Sequence, residues 1–128
     1  MSASAKLKKI ESDLESIRVI LNLEPCTIDD KDGKLSKLAA LTGLAAECQA
    51  QAGGLYKEEL AKAIRVFAKE KYTPSVIIKM AEGEVTEFGM CYEYSQRISS
   101  AIAHSIDAIR TQISLHKTEL VNSQFQKV

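Results

Sequence analysis

The sequence predicts an all-α protein: a long antiparallel helical hairpin with a shorter N-terminal helix, its bundle completed by oligomerisation. Three observations lead there. Apolar residues recur in steps of three and four through most of the chain, no alternating run supports a strand, and only two prolines occur in 128 residues. The Thr73-Pro74 step and Gly83 then divide the chain beyond the first helix into two arms of nearly equal length, roughly 34 to 72 and 84 to 122. At ~1.5 Å rise per residue each arm would run to about 58 Å. With 45% hydrophobic residues, the whole chain, 1–128, is expected to form a single helical-bundle domain.

The first helix is expected over about 4 to 23. Leu7, Ile10, Leu14, Ile17 and Leu21 place one apolar stripe on it, and Ser4 offers a cap. Pro25 supplies the stop, and Asp29, Asp30, Asp32 and Gly33 read as a turn-rich connection.

The second arm carries two apolar series. Leu35, Leu38, Thr42, Ala45, Gln49, Ala52 and Tyr56 form one, while Leu41, Leu44, Cys48 and Leu55 lie one face around, so burial on two sides is expected. Gly53-Gly54 interrupts this arm at about 1 kcal/mol per glycine, which points to a kink or a close helix contact. Beyond it Leu60, Ile64 and Phe67 resume the period up to Tyr72.

Pro74 pushes Thr73 out of helical geometry yet suits a first helical turn, so Ser75 to Ala81 reads as a short helical turn. The third arm follows with Phe88, Ile98, Ile102, Ile106, Ile109, Ile113 and Leu120 on one stripe. Tyr94, Ala101, Ala108 and Leu115 form a neighbouring stripe at heptad spacing, where small residues admit another helix.

A first helix half as long as either arm leaves the far half of the hairpin uncovered. Ile64, Phe67, Ile77, Met80, Phe88, Tyr94 and Ala101 are therefore the expected oligomer interface, with two-fold pairing of distal halves in at least a dimer.

The formal net charge is zero, so no overall field draws the protein to nucleic acid or to a membrane. Three widely spaced cysteines without a CxxC pair disfavour disulfides and zinc, and suit a reducing cytosol. The start of the chain has no continuous apolar core of a signal peptide, and no run reaches the ~18 apolar residues of a membrane span, so a cytoplasmic setting is expected.

No catalytic residue, metal or cofactor is predicted. Ser100, His104 and Asp107 follow one another by about a turn, but a mid-helix serine has neither a sharply held backbone nor an oxyanion site. His116 and Glu119 form a single i, i+3 pair without a second in the chain, and the Asp29–Gly33 stretch lacks the distal glutamate of a calcium loop. The ligand candidates are Tyr56, Lys57, Lys62, Arg65, Lys69 and Arg97. Lys62, Arg65 and Lys69 share a helical face near two tyrosines and could hold phosphates, although pairing of Glu58 with Lys62 on a solvated face explains them as simply.

The run Ser75–Gly83, then Tyr92-Glu93-Tyr94, then Ser105 to Glu119 with its R-(S/T)-x-(I/L)-S-x-x-K-x-E pattern at Arg110, Thr111, Ile113, Ser114, Lys117 and Glu119, resembles small helical proteins of bacteriophages and prophages. Members are mostly of unknown function, some encoded near single-strand annealing genes. The resemblance covers a third to a half of the chain, implies a phage-like setting in a host cytosol, and transfers no catalytic residue. The expected function is non-catalytic and stoichiometric: capture of a host or phage protein, or of a small phosphate-bearing nucleotide as a counter-defence sponge. The alternative is an accessory in phage recombination or replication that binds single-stranded DNA or an annealing protein.

Overall fold

The computed structural model describes residues 1–126 and is helical throughout, with α1 Ala3–Leu21, α2 Ile28–Phe67, α3 Pro74–Glu84 and α4 Thr86–Gln126. The all-α hairpin with a short leading helix is therefore present, with α2 and α4 as its long arms. Several boundaries differ from those the sequence predicts, each for a local reason.

α1 is capped by Ser2, not Ser4: the Ser2 Oγ accepts the Ala5 N–H at 3.1 Å. α2 begins six residues early. Thr27 and Asp30 form a reciprocal capping box, with the Asp30 N–H on the Thr27 Oγ1 at 3.1 Å and the Thr27 N–H on the Asp30 Oδ2 at 3.4 Å. Asp29 and Asp30 thus sit where the helix dipole favours carboxylates, and the acidic stretch is the first turn of α2, not a connection. Gly33 is carried within the helix.

α2 stops at Phe67, five residues before Tyr72. The Lys69 and Glu70 N–H groups bond to the Val66 and Phe67 carbonyls, tightening the end of the helix into i→i+3 turns. Thr73 is extended at φ −69°, ψ 153°, as a residue before proline should be, and Pro74 opens α3. α3 is a full eleven-residue helix that includes Gly83; the break comes at Val85, with φ −110° and ψ 25°. The Thr86 Oγ1 donates to the Gly83 carbonyl at 2.8 Å just beyond it.

The main core has three walls. Leu7, Ile10, Leu14 and Ile17 of α1 pack against Leu38, Ala45, Cys48, Ala52 and Leu55 of α2 and Cys91, Ile98, Ile102, Ile109 and Ile113 of α4. Leu14 and Ile17 are fully buried, each worth ~1.5–3 kcal/mol of apolar transfer. α1 is tied down at its far end by Lys34 of α2, whose Nζ donates to the Leu21 and Leu23 carbonyls at 2.8 Å each. A helix C-terminus leaves such carbonyls without intrahelical partners, and a cation complements its dipole.

A second, smaller cluster lies beyond α1. Ala63, Ala81 and Val85 are buried there, with Tyr56, Leu60, Ile64, Phe67 and Phe88 packed around them. α3 lies along the end of α2 and barely touches α4, returning the chain beside α2 to the start of α4. The distal half is consequently better covered than a bare hairpin would be. At the opposite end, Leu120 does not join the core stripe and is 52% exposed.

Candidate functional site

The distal end of the hairpin, α3 and the last turns of α2, concentrates both apolar and cationic side chains. Ile64, Phe67 and Phe88 are half-buried around the small cluster and Ile77 and Met80 half-buried on α3, while Val66, Tyr72, Val76 and Ile78 are exposed. Residues 63–81 carry Arg65, Lys69, Lys71 and Lys79 against Glu70, a net charge of +3 in a chain whose total is zero. Glu82, Glu84 and Glu87 follow that segment along the chain, while on α2 Glu58 and Glu59 are balanced by Lys57 and Lys62.

The six ligand candidates do not come together. Lys62 is held by Glu59 at 3.3 Å and Glu58 at 3.5 Å, and the hydrogen bond to Glu59 followed by the charges of Glu59 and Glu58 raises its pKa. Arg65 and Lys69 are exposed beyond it, and so is Lys57. Tyr56 stacks on Tyr92 with centroids 6.3 Å apart and rings inclined by 30°. One face of its ring is committed to the helix crossing. Arg97 belongs to the other arm, where it lines an open groove of about 750 Å³ between α1 and α4 with Ser4, Lys8, Glu11, Glu93 and Tyr94.

The seven interface candidates fall in two places. Ile64, Phe67 and Phe88 pack on the distal cluster and Ile77 and Met80 are half-buried on α3; Tyr94 and Ala101 lie on the flank of α4, Tyr94 packed against the main core and Ala101 beside Arg97, Ser100 and His104. Met90, also among the apolar residues the sequence places on the uncovered half, is 64% exposed at the top of that flank.

Ser100, His104 and Asp107 all lie on α4 and line two different grooves. The first two line a groove on the outer flank of α4, whereas Asp107 lines the groove between α2 and α4 with Arg110. Among the described residues no group of three or more His, Cys, Asp or Glu side chains is placed to hold a metal ion. Cys48 and Cys91 are buried core residues, and burial pushes both thiols up, Cys91 to about 11. Neither forms a thiolate readily near neutral pH.

One further surface falls on the first series of the second arm, whose Thr42, Ala45 and Gln49 line it. The α2–α4 groove on the side away from α1 has a volume of about 530 Å³ and is walled by small residues, among them Ala39, Ala46, Ser99 and Ala103. The available signal was charge depletion, since Glu47 is the only charged residue from 38 to 56.

Comparison with protein-family models, with curated proteins and with solved structures finds no match to this chain. Among the described residues no helix is long and apolar enough to cross a membrane.

Proposed function

We propose that the protein is a non-catalytic, homo-oligomeric helical binder that acts by stoichiometric capture of a phosphate-bearing ligand or a partner protein. The observation that carries this reading is the composition of the distal end: exposed Val66, Val76 and Ile78 interleaved with Arg65, Lys69, Lys71 and Lys79. Apolar groups beside unpaired cations suit a ligand that presents both a ring or aliphatic surface and an anion. In a phage-borne setting, sequestration of a host nucleotide signal in the cytosol is one form of such capture.

A panel of mono-, di- and cyclic nucleotides in a thermal-shift assay tests it. A binder at a hundredfold excess over Kd gains about 2.7 kcal/mol and melts later. The nucleotide is expected back unchanged after denaturation, with binding weakened in Arg65→Ala and Lys69→Ala. No shift with any nucleotide, together with no stabilisation by a co-purifying protein, would remove the proposal.

The exposed Tyr72 beside Lys69 and Lys71 favours a second reading, single-strand binding, because stacking on an aromatic ring among cations serves any base. That reading requires affinity falling steeply with salt.

A further inference from the structure

We propose that the cavity between α1 and α2, at Lys6 and Lys9, binds a small ring compound carrying an anionic group, a carboxylate or a phosphate. It is a site apart from the distal end, and it stands or falls independently of capture there. The cavity has a volume of about 390 Å³, at the small end of the ~300–1,000 Å³ usual for small-molecule sites. Ile10 of α1 and Leu55 of α2, both members of the main core, form its apolar floor. Lys6, Lys9, Gln51 and Glu58 supply its polar edge.

The wall at Gly54 is bare without a packing reason. Gly54 lies well inside α2, where a glycine costs about 1 kcal/mol against alanine. Its neighbour Gly53 is bare because a Cβ there would meet the Tyr92 ring at 2.9 Å, but a Cβ on Gly54 would meet nothing within 4 Å. A ring laid flat against the helix backbone accounts for the second glycine, since a side chain at that point of the lining takes up the room the ring needs.

The charge at the edge calls for an anion. Lys6 and Lys9 stand one turn apart on one face of α1, and the described ion pairs, Glu15 with Arg18 and Lys62 with Glu58 and Glu59, involve neither. Glu58, the carboxylate on the cavity, lies 3.5 Å from Lys62, which offsets its charge. The first turn of α1 carries no acidic residue, so no carboxylate there meets either the two ammonium groups or the positive end of the helix dipole. An ammonium is a point charge without a fixed fork, and takes a carboxylate or a phosphate alike. Gln51 donates its Nε2 to the Glu47 Oε1 at 3.1 Å, which leaves its own amide oxygen to accept from an N–H or O–H of the ring.

Fluorescence titration with anilinonaphthalene sulfonate, a flat-ring anion, tests this on the full chain and three variants. One probe per chain is expected, displaced by adenosine monophosphate if the anion is a phosphate and by naphthoate if it is a carboxylate. Gly54→Leu should keep the helical circular dichroism and a Tm no lower than that of the unmodified chain, yet weaken probe binding by about tenfold or more. Lys6→Ala with Lys9→Ala, both at exposed positions, should weaken it by a similar factor with the fold intact. Val66→Glu with Ile78→Glu at the distal end should leave the probe bound. Binding that Gly54→Leu does not weaken, or that the distal variant alone removes, overturns this site and leaves distal capture standing. No binding of the probe, or binding that neither competitor displaces, overturns it as well.

Discussion

Tyr56 of α2 and Tyr92 of α4 lock the two arms by reciprocal use of glycine. Their rings stack 6.3 Å apart, and each lies over a glycine of the opposite helix, Tyr92 over Gly53 and Tyr56 over Gly89. A Cβ added to Gly53 would meet the Tyr92 Cε1 at 2.9 Å, and one on Gly89 would meet the Tyr56 Cε2 at 3.2 Å. Gly54, next in sequence, faces open space.

The two adjacent glycines should therefore respond with opposite sign. Gly54→Ala is expected to stabilise by about 0.5–1 kcal/mol through helix propensity alone. Gly53→Ala gains the same propensity but must displace a ring held by its stacking partner, an overpacking cost of ~1–3 kcal/mol that leaves a net loss of about 1 kcal/mol. Urea unfolding of the pair checks this, and equal shifts would contradict the lock.

Much of this was legible in the sequence, because the stripe of Leu7, Ile10, Leu14 and Ile17 and the Thr73-Pro74 step are local signals. Gly53-Gly54 was compatible with a kink or a close contact, and which glycine makes the contact depends on the facing helix. The start of α2 was misread because aspartates favour turns and helix N-termini alike, and only the Thr27 capping box decides between them. The break at Val85 has no local signature; Gly83 next to it drew attention for a backbone freedom the helix does not use. Of the binding candidates, the distal five could be placed by counting helix lengths. The wall of Ala39, Ala46 and Ala103 could not, because alanine suits core and surface equally.

The ends of α1 and α2 depend on two side chains in particular. Thr27→Ala should cost about 1 kcal/mol by opening the capping box. Lys34→Met, which removes two charged hydrogen bonds to the end of α1, should cost ~1–3 kcal/mol and speed amide exchange in α1 ahead of α2 and α4. Uniform acceleration across all helices would show that Lys34 anchors nothing locally.

At the distal cluster, Ala81 is fully buried between α3 and α2. Ala81→Leu should overpack that contact by ~1–3 kcal/mol and loosen α3 while α1 keeps its protection. Hydrogen exchange resolved by helix reads the difference.

Alkaline pH should act through Cys91. Burial, then the Glu11 charge and Cys48, hold its thiol protonated up to about 11 against an ordinary 9.0. The unfolded chain gives up this proton first as pH rises. The contribution to stability is thus complete below about 9 and declines between about 9 and about 11. Cys91→Ala should flatten that part of the stability–pH curve whatever it does to stability at neutral pH. In the native protein at pH 8, a thiol reagent should modify the exposed Cys26 quickly and leave Cys48 and Cys91 untouched.

Self-association is the claim on which capture and interface both depend. Sedimentation velocity over a hundredfold range of concentration tests it most directly. A species of at least twice the chain mass, dissociating on dilution, is the expected result; a single monomeric boundary at the highest concentration would contradict it.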